Sequence, residues 1–516
     1  MLGKKKEEDN LRTKKLARNT MSSMIYQVMT IGCGFILPRL MLSCYGSEVN
    51  GIVNSITQFL QIVAFLDLGV GAVVQSSLYK PLANNDTQQI SRVVKSATRF
   101  FRNLAKILLV YVVGLILVYP YLANQQFGFG YTAALIIAMS ISSFAQYYFG
   151  IVNRLLLLAD QRGYIQYDIQ TITLILNTIA CAVLMRWNVS IQLVKLTTSL
   201  IYLLRPIGLN CYVKKNYKID MDITYVDEPI KQKWNGVAQH IAAVILDGTD
   251  SIVLTIFSTL SSVSIYSVYN LVAFGVKQLF VSMTNGIQSL MGELWAKEEI
   301  NELESFFDWV EWTIHTGVVY VFGCTSALIV PFISVYTKGI TDANYIQPVF
   351  GVILVVANAV CCLRIPYILM ILASGSYKQT QNNYIIAAIL NIGLSILLVR
   401  KFGLIGVSIG TLASMVYQTV WTALYNEKHL IKRSISFFIK QVFVDFCGAF
   451  VIFVLNKLLG QYISTNYLEW CWYAVKVALV FLVFEVAINY VFYKEKMKKL
   501  TGKILLVSKK IGMKIF

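Results

Sequence analysis

From Thr313 to Tyr336 the chain runs 24 residues without an Asp, Glu, Lys or Arg. A helix rises about 1.5 Å per residue, so this run alone is long enough to cross the ~30 Å hydrocarbon core of a bilayer. Uncharged or nearly uncharged runs of similar length recur along the chain. Backbone N–H and C=O groups in lipid have no water to bond, so each run must satisfy them internally. Runs this long do so as helices, being well beyond the ~10-residue alternating strands of a membrane barrel. The composition agrees, with 56% hydrophobic and 14% charged residues in a chain of 516 and a mean hydropathy of +0.61.

The second constraint is a repeat. Ile175 to Arg186 reads ILNTIACAVLMR and Ile389 to Arg400 reads ILNIGLSILLVR, an offset of 389 − 175 = 214. The same offset carries Leu158-Ala159 onto Leu372-Ala373 and Val49 onto Val263. A constant offset at three places is the signature of a duplicated unit.

Fourteen spans follow from the apolar runs. Those of the first copy lie at about 20–44, 49–79, 104–122, 131–158, 165–185 and 191–212; those of the second at about 235–257, 263–291, 313–336, 345–373, 382–399 and 404–425. Two more, at about 437–459 and 468–493, complete the set. Six spans return the chain to its starting side, so the copies enter the membrane in the same orientation and form a parallel repeat. The expected fold is therefore an all-α polytopic membrane protein with two six-helix lobes and two C-terminal helices. Its expected segments are a basic N-terminus (1–19), a first lobe (20–212), a polar inter-lobe loop (213–234), a second lobe (235–426), two accessory spans (427–493) and a basic tail (494–516).

The net charge of +18 is concentrated on one side of this scheme. Lys4, Lys5, Lys6, Arg12, Lys14, Lys15 and Arg18 precede the first span, which is expected to be retained and not cleaved. Lys494, Lys496, Lys498, Lys499, Lys503, Lys509, Lys510 and Lys514 follow the last. The outer loops hold only Arg186, Lys338, Arg400, Lys401 and Lys457 as bases. The positive-inside rule then places both termini in the cytoplasm. The charge reads as a collar on an anionic leaflet, with no nucleic-acid partner. Arg92, Lys95, Arg99, Arg102 and Lys106, at spacings of three and four, suit either a helix lying on lipid head groups or a solvated face ahead of the third span.

Charges inside a bilayer cost at least ~2.5–3.5 kcal/mol each and mark functional positions. Arg39, Arg154, Arg205, Lys277 and Arg364 fall within or near the apolar zone, with Asp67, Asp247 and Asp250 in the repeated halves and Asp445 and Glu485 in the last two spans. Arg39 follows Pro38, Arg205 precedes Pro206, and Arg364 lies two residues before Pro366. Proline frees a backbone carbonyl and kinks a helix, leaving room for polar groups beside a base. These pairings point to a cavity that holds anions. The competing reading is that the long basic side chains snorkel to the interfaces. Asp247 and Asp250, three apart on one helix face, are candidates for ion coupling or for charge pairing with Lys277. Asn177 and Asn391, equivalent in the repeat, suit bridges between helices.

Catalytic and metal-binding constellations are not indicated. There is no GxxxxGK[ST] loop and no HExxH; His240, His315 and His429 are scattered, and the nine cysteines sit almost entirely in apolar runs without a CxxC. No cofactor is expected, and the chain does not read as an enzyme.

Several strings carry a family resemblance: Val49-Asn50-Gly51; Asp67-Leu68-Gly69-Val70-Gly71; Leu78-Tyr79-Lys80-Pro81-Leu82 with Asn85-Asp86; Leu158-Ala159-Asp160 with Gly163-Tyr164; Thr249-Asp250 and Ile265-Tyr266-Ser267-Val268-Tyr269. The chain resembles the Wzx-like polysaccharide-export flippases, a branch of the multidrug/oligosaccharidyl-lipid/polysaccharide exporter superfamily. The resemblance implies a bacterial cytoplasmic-membrane protein with two lobes around a central cavity. It implies alternating-access transfer of an undecaprenyl-diphosphate-linked oligosaccharide between leaflets for surface polysaccharide. It also implies cavity arginines against the diphosphate, accessory helices that can form a groove for the lipid tail, and membrane lipids, a polymerase and chain-length machinery as partners. A cation-coupled multidrug exporter built the same way, using Asp67, Asp247 or Asp250, is the alternative reading. A scaffold that recruits partners through its basic collar is a third.

Overall fold

The computed structural model describes residues 2–123, 126–224, 227–230, 248–282, 284–459 and 466–502. Every regular element among them is helical. In chain order these are α1 (Leu2–Ala83), α2 (Thr87–Leu122), α3 (Phe129–Ala145) and α4 (Ile151–Ala159) joined by a π-turn at Gln146–Gly150, α5 (Gly163–Arg186) and α6 (Ile191–Asn216). Then come α7 (Gly248–Phe257), α8 (Leu260–Ser282), α9 (Thr284–Ala296), α10 (Ile300–Tyr336), α11 (Pro348–Leu363), α12 (Ile365–Ser374), α13 (Tyr377–Phe402) and α14 (Leu404–Tyr425). After a second π-turn at Asn426–Leu430, α15 (Ser436–Leu459) and α16 (Tyr467–Phe492) follow. Ten helices among the described residues are long and apolar enough to cross a membrane. Phe446, Leu458, Trp472 and Val491 are each at least 70% exposed on α15 and α16. So much bare apolar surface fits lipid and not water. The chain is an integral, multi-pass membrane protein.

The expected first and second spans are the two arms of α1, separated at Gly46, whose φ of 83° only glycine adopts without strain. The arm that restarts at Ser47 is capped from far along the chain: Asp342 accepts hydrogen bonds from Ser47 N at 2.6 Å and Ser47 Oγ at 2.7 Å. Asp86 caps α2, accepting from Gln89 N at 2.9 Å. That helix then runs unbroken to Leu122, because nothing ahead of Pro120 interrupts it. The basic stripe from Arg92 to Lys106 is thus the first part of the third spanning helix, which buries Val94, Ala97, Phe101 and Leu104.

The acidic stretch between the eighth and ninth expected spans is largely helix. Residues 302–311 open α10, where Leu303, Phe307 and Val310 are buried at helical spacing and draw the stretch onto the protein. The tenth span is broken into α11 and α12 at Arg364.

The chain divides into two compact units: Met1–Ser267 with Gly339–Ala343, and Val268–Lys338 with Asn344–Phe516. In the first, α1 meets α8 through a direct hydrogen bond. Asn50 Nδ2 donates to Ser264 Oγ at 2.7 Å, 214 residues on. Next to it Gly51 packs on the Leu260 backbone, where a Cβ would stand 2.6 Å from the Leu260 carbonyl carbon. Ser55 is held there by Tyr119 at 2.8 Å and Thr255 at 2.7 Å. In the second unit α15 and α16 pack on α10 through Ala327, Ile452, Tyr473, Val477 and Phe481.

Candidate functional site

A cavity of about 440 Å³ lies within the first unit, among α1, α3, the first π-turn, α4, α5 and α6. Its lining includes Thr57, Gln61, Ser142, Ser143, Gln146, Gln170, Tyr202, Arg154 and Arg205, with no aspartate or glutamate among the lining residues. The π-turn inserts one extra residue into the turn and directs Gln146 to this space, a device common at functional sites. Arg205 Nε donates to Thr173 Oγ1 at 2.8 Å, and its guanidinium carbon lies 3.7 Å from the centroid of the Tyr202 ring. Stacking fixes the plane of the guanidinium at the cavity wall.

A second cationic site lies in the other unit. Arg364 occupies the break between α11 and α12, ahead of Pro366, and is 6% exposed. Nη1 donates to Gln418 Oε1 and lies 3.7 Å from Met415 Sδ; Nη2 lies 3.5 Å from Cys361 Sγ. Among the described residues no carboxylate answers this charge, and the Nε of Arg364 and the Nε2 of Gln418 are buried without hydrogen-bond partners there. Lys277 on α8 is 8% exposed, with its ammonium 5.5 Å from the Phe274 ring centroid. Cys362 lies in the field of both Lys277 and Arg364. The structure therefore brings Arg154 and Arg205 into one cavity lining and buries Lys277 and Arg364 within the second unit.

Arg39 is half-buried on α1 after Pro38 and lines neither site. Asp250 on α7 is 3% exposed and accepts from Tyr266 Oη at 2.9 Å. The side chain of Asp67, and Asp247 altogether, lie outside the described residues. The two repeat-related asparagines bridge equivalent helix pairs: Asn177 Nδ2 donates to Tyr202 Oη at 3.3 Å between α5 and α6, and Asn391 Nδ2 to Thr411 Oγ1 at 3.2 Å between α13 and α14.

Sequence reasoning missed a buried ionic cluster in the second unit. Arg433, between the second π-turn and α15, donates from Nε to both oxygens of Glu427, at 2.8 and 2.9 Å. Its Nη2 donates to Glu311 Oε2 at 2.5 Å, and Tyr367 donates to the other Glu311 oxygen. Burial works against the charge of Arg433, but Glu427 and Glu311 outweigh it and hold the guanidinium above its ordinary range. Lys496, after α16, reaches Asp308 at 2.7 Å, yet burial pushes its ammonium down. Deeper, His315 Nδ1 meets Asp445 Oδ2 at 2.6 Å. The only signal in the sequence was charge inside or beside apolar runs, which names no partner.

No family model and no curated protein matches the chain. Solved structures do match. A lipid II flippase MurJ in an inward closed conformation superposes with a TM-score of 0.68 at 13% identity, covering 92% of this chain and 99% of that one. An inward-facing multidrug resistance MATE family transporter of the MOP superfamily gives 0.59 at 15% identity, covering 81% and 99%. The MATE transporter VcmN of Vibrio cholerae gives 0.56 at 12%, covering 82% and 98%. The chain has the all-helical fold of these transporters.

Proposed function

We propose that this protein is a flippase of the bacterial cytoplasmic membrane, with both termini in the cytoplasm. Its substrate is an undecaprenyl-diphosphate-linked oligosaccharide, moved from the inner to the outer leaflet by alternating access for surface polysaccharide assembly. The observation that carries this reading is the burial of Arg364, with no carboxylate partner among the described residues, together with a polar cavity whose charged lining residues are both arginines. A buried guanidinium with an unused donor is costly unless an anion completes it. A diphosphate supplies that anion as a charge-assisted, forked acceptor. Around Arg154 and Arg205, the amides of Gln61, Gln146 and Gln170 and the hydroxyls of Ser142 and Ser143 match the alternating donors and acceptors of a sugar. The polyprenyl chain stays in lipid.

The fold shared with a lipid II flippase agrees with this reading, and the fold shared with MATE transporters keeps a drug exporter as its competitor. Sign discriminates between them, since a site for cationic drugs needs acids in the lining and this cavity presents bases.

Each charge-assisted hydrogen bond lost costs about 1.5–3 kcal/mol. Lys277→Gln combined with Arg364→Gln should therefore lower transfer of a diphosphate lipid by ~10²–10⁴-fold in proteoliposomes and abolish surface polysaccharide, with the protein still inserted. Normal polysaccharide from that double variant rejects the proposal.

A further inference from the structure

The accessory helices α15 and α16 carry acids that the flippase reading does not use. Glu485 on α16 is 6% exposed. Its Oε1 accepts from Asn489 Nδ2 at 2.9 Å, while Oε2 is buried with no hydrogen-bond partner and faces Gly448 of α15. No cation among the described residues is paired with it, and Asp445 acts on it as a second negative charge. An ionised carboxylate so placed would be a buried charge beside another acid, an arrangement that burial disfavours.

We propose that His315, Asp445 and Glu485 form a proton-binding site, with Glu485 carrying the exchangeable proton, and that this proton controls how α16 is held against α10. Binding forms an O–H bond at Oε2; release returns the proton to water and leaves a carboxylate beside Asp445. The hold on α10 is direct: Asn489, bonded to Glu485, accepts at Oδ1 from Trp312 Nε1 at 2.8 Å and Thr316 Oγ1 at 3.0 Å, both on α10.

The charged and titratable groups around the site come from every element packed there. From α10 there are His315, Glu311 and Asp308. From α12, Tyr367 stands edge-on to the His315 ring at 6.1 Å. From α15, Asp445 also accepts from Gln441 at 3.1 Å, and Lys440 lies over Tyr493 at 4.9 Å. After α16, Tyr493 donates to Gln441 at 2.8 Å, and Lys496 lies 6.0 Å from the Trp312 ring. Arg433 is committed to Glu311 and Glu427, and Lys496 to Asp308. His315 is bound to Asp445 and Lys440 lies over Tyr493, so among these described groups Glu485 is the acid left without a base.

The test is an infrared titration of the full-length protein in lipid vesicles between about pH 5 and 10, a range that spans displaced carboxyl and imidazole groups. The carbonyl stretch of a protonated buried carboxyl should vanish in one transition as pH rises, be absent from Glu485→Gln, and move its midpoint in Asp445→Asn. Hydrogen exchange, corrected for the intrinsic effect of pH, should quicken over residues 481–492 above that transition in the natural protein and stay slow in Glu485→Gln. Persistence of the band in Glu485→Gln overturns the proposal, as does a natural-protein band that never titrates. Should Glu485→Gln fail to insert, an unmoved midpoint in Asp445→Asn overturns it equally. None of these readouts involves a transported substrate, so they stand or fall apart from the flippase reading.

Discussion

Replacing Arg433 by methionine isolates the energetics of the buried ionic cluster. The Arg433 side chain is 2% exposed, and its partners Glu311 and Glu427 are 3% and 1% exposed, so little solvent screening reduces the effect. The substitution keeps the apolar stem but leaves two carboxylates buried without their cation. Breaking such a pair from one side costs about 3–5 kcal/mol. For a unit of this size each kcal/mol shifts the melting temperature by roughly 2–4 °C, so Arg433→Met should melt ~6–20 °C lower. The same reasoning predicts a rescue. With Glu311→Gln and Glu427→Gln added, the desolvation penalty disappears along with the pair, and replacing a whole buried network by neutral groups is close to neutral. The assay is thermal unfolding of the detergent-solubilised protein followed by tryptophan fluorescence, on the single and triple variants in parallel. An unchanged melting temperature in Arg433→Met, or a triple variant as weak as the single one, would refute the account of the cluster as a mutually compensated buried network.

Three further outcomes are expected. Gly51→Ala forces a methyl group into the Leu260 backbone, which cannot swing aside as a side chain can; the protein should lose about 1–3 kcal/mol, read as a lower melting temperature, and native stability would disprove the close approach. Asp342→Ala removes the acceptor for Ser47 N and Oγ and should cost ~0.5–2 kcal/mol, with faster amide exchange confined to the residues after Gly46; unaltered exchange there contradicts the cap. Asn391→Ala, removing the bridge from α13 to α14, should cost only about 0.6–1.7 kcal/mol and leave transfer intact, whereas a total loss of transfer with normal stability would make Asn391 a substrate contact.

Much of the helical scheme was legible in the residues. The uncharged run from Thr313 to Tyr336 ends with α10, and the Pro366 beside Arg364 marks the break between α11 and α12. The expected ninth span began only at Thr313, whereas α10 starts at Ile300, because the charges of 302–311 mask the apolar face of Leu303, Phe307 and Val310. Arg154 and Arg205 stood out singly as intramembrane bases, but nothing in their spacing said that one cavity would hold both with Gln61, Gln146 and Gln170.

What the sequence determined by itself was the solvent of this protein and the period of its helices, since lipid demands long apolar runs whose backbone bonds close within each segment. What only the tertiary structure decided was which charges meet. Asp308, Glu311, His315, Glu427, Arg433, Asp445, Glu485 and Lys496 are scattered over almost 190 residues of chain and converge where α10, α15 and α16 pack. Charge pairing in a low-dielectric interior depends on distance in space, which a one-dimensional string does not encode.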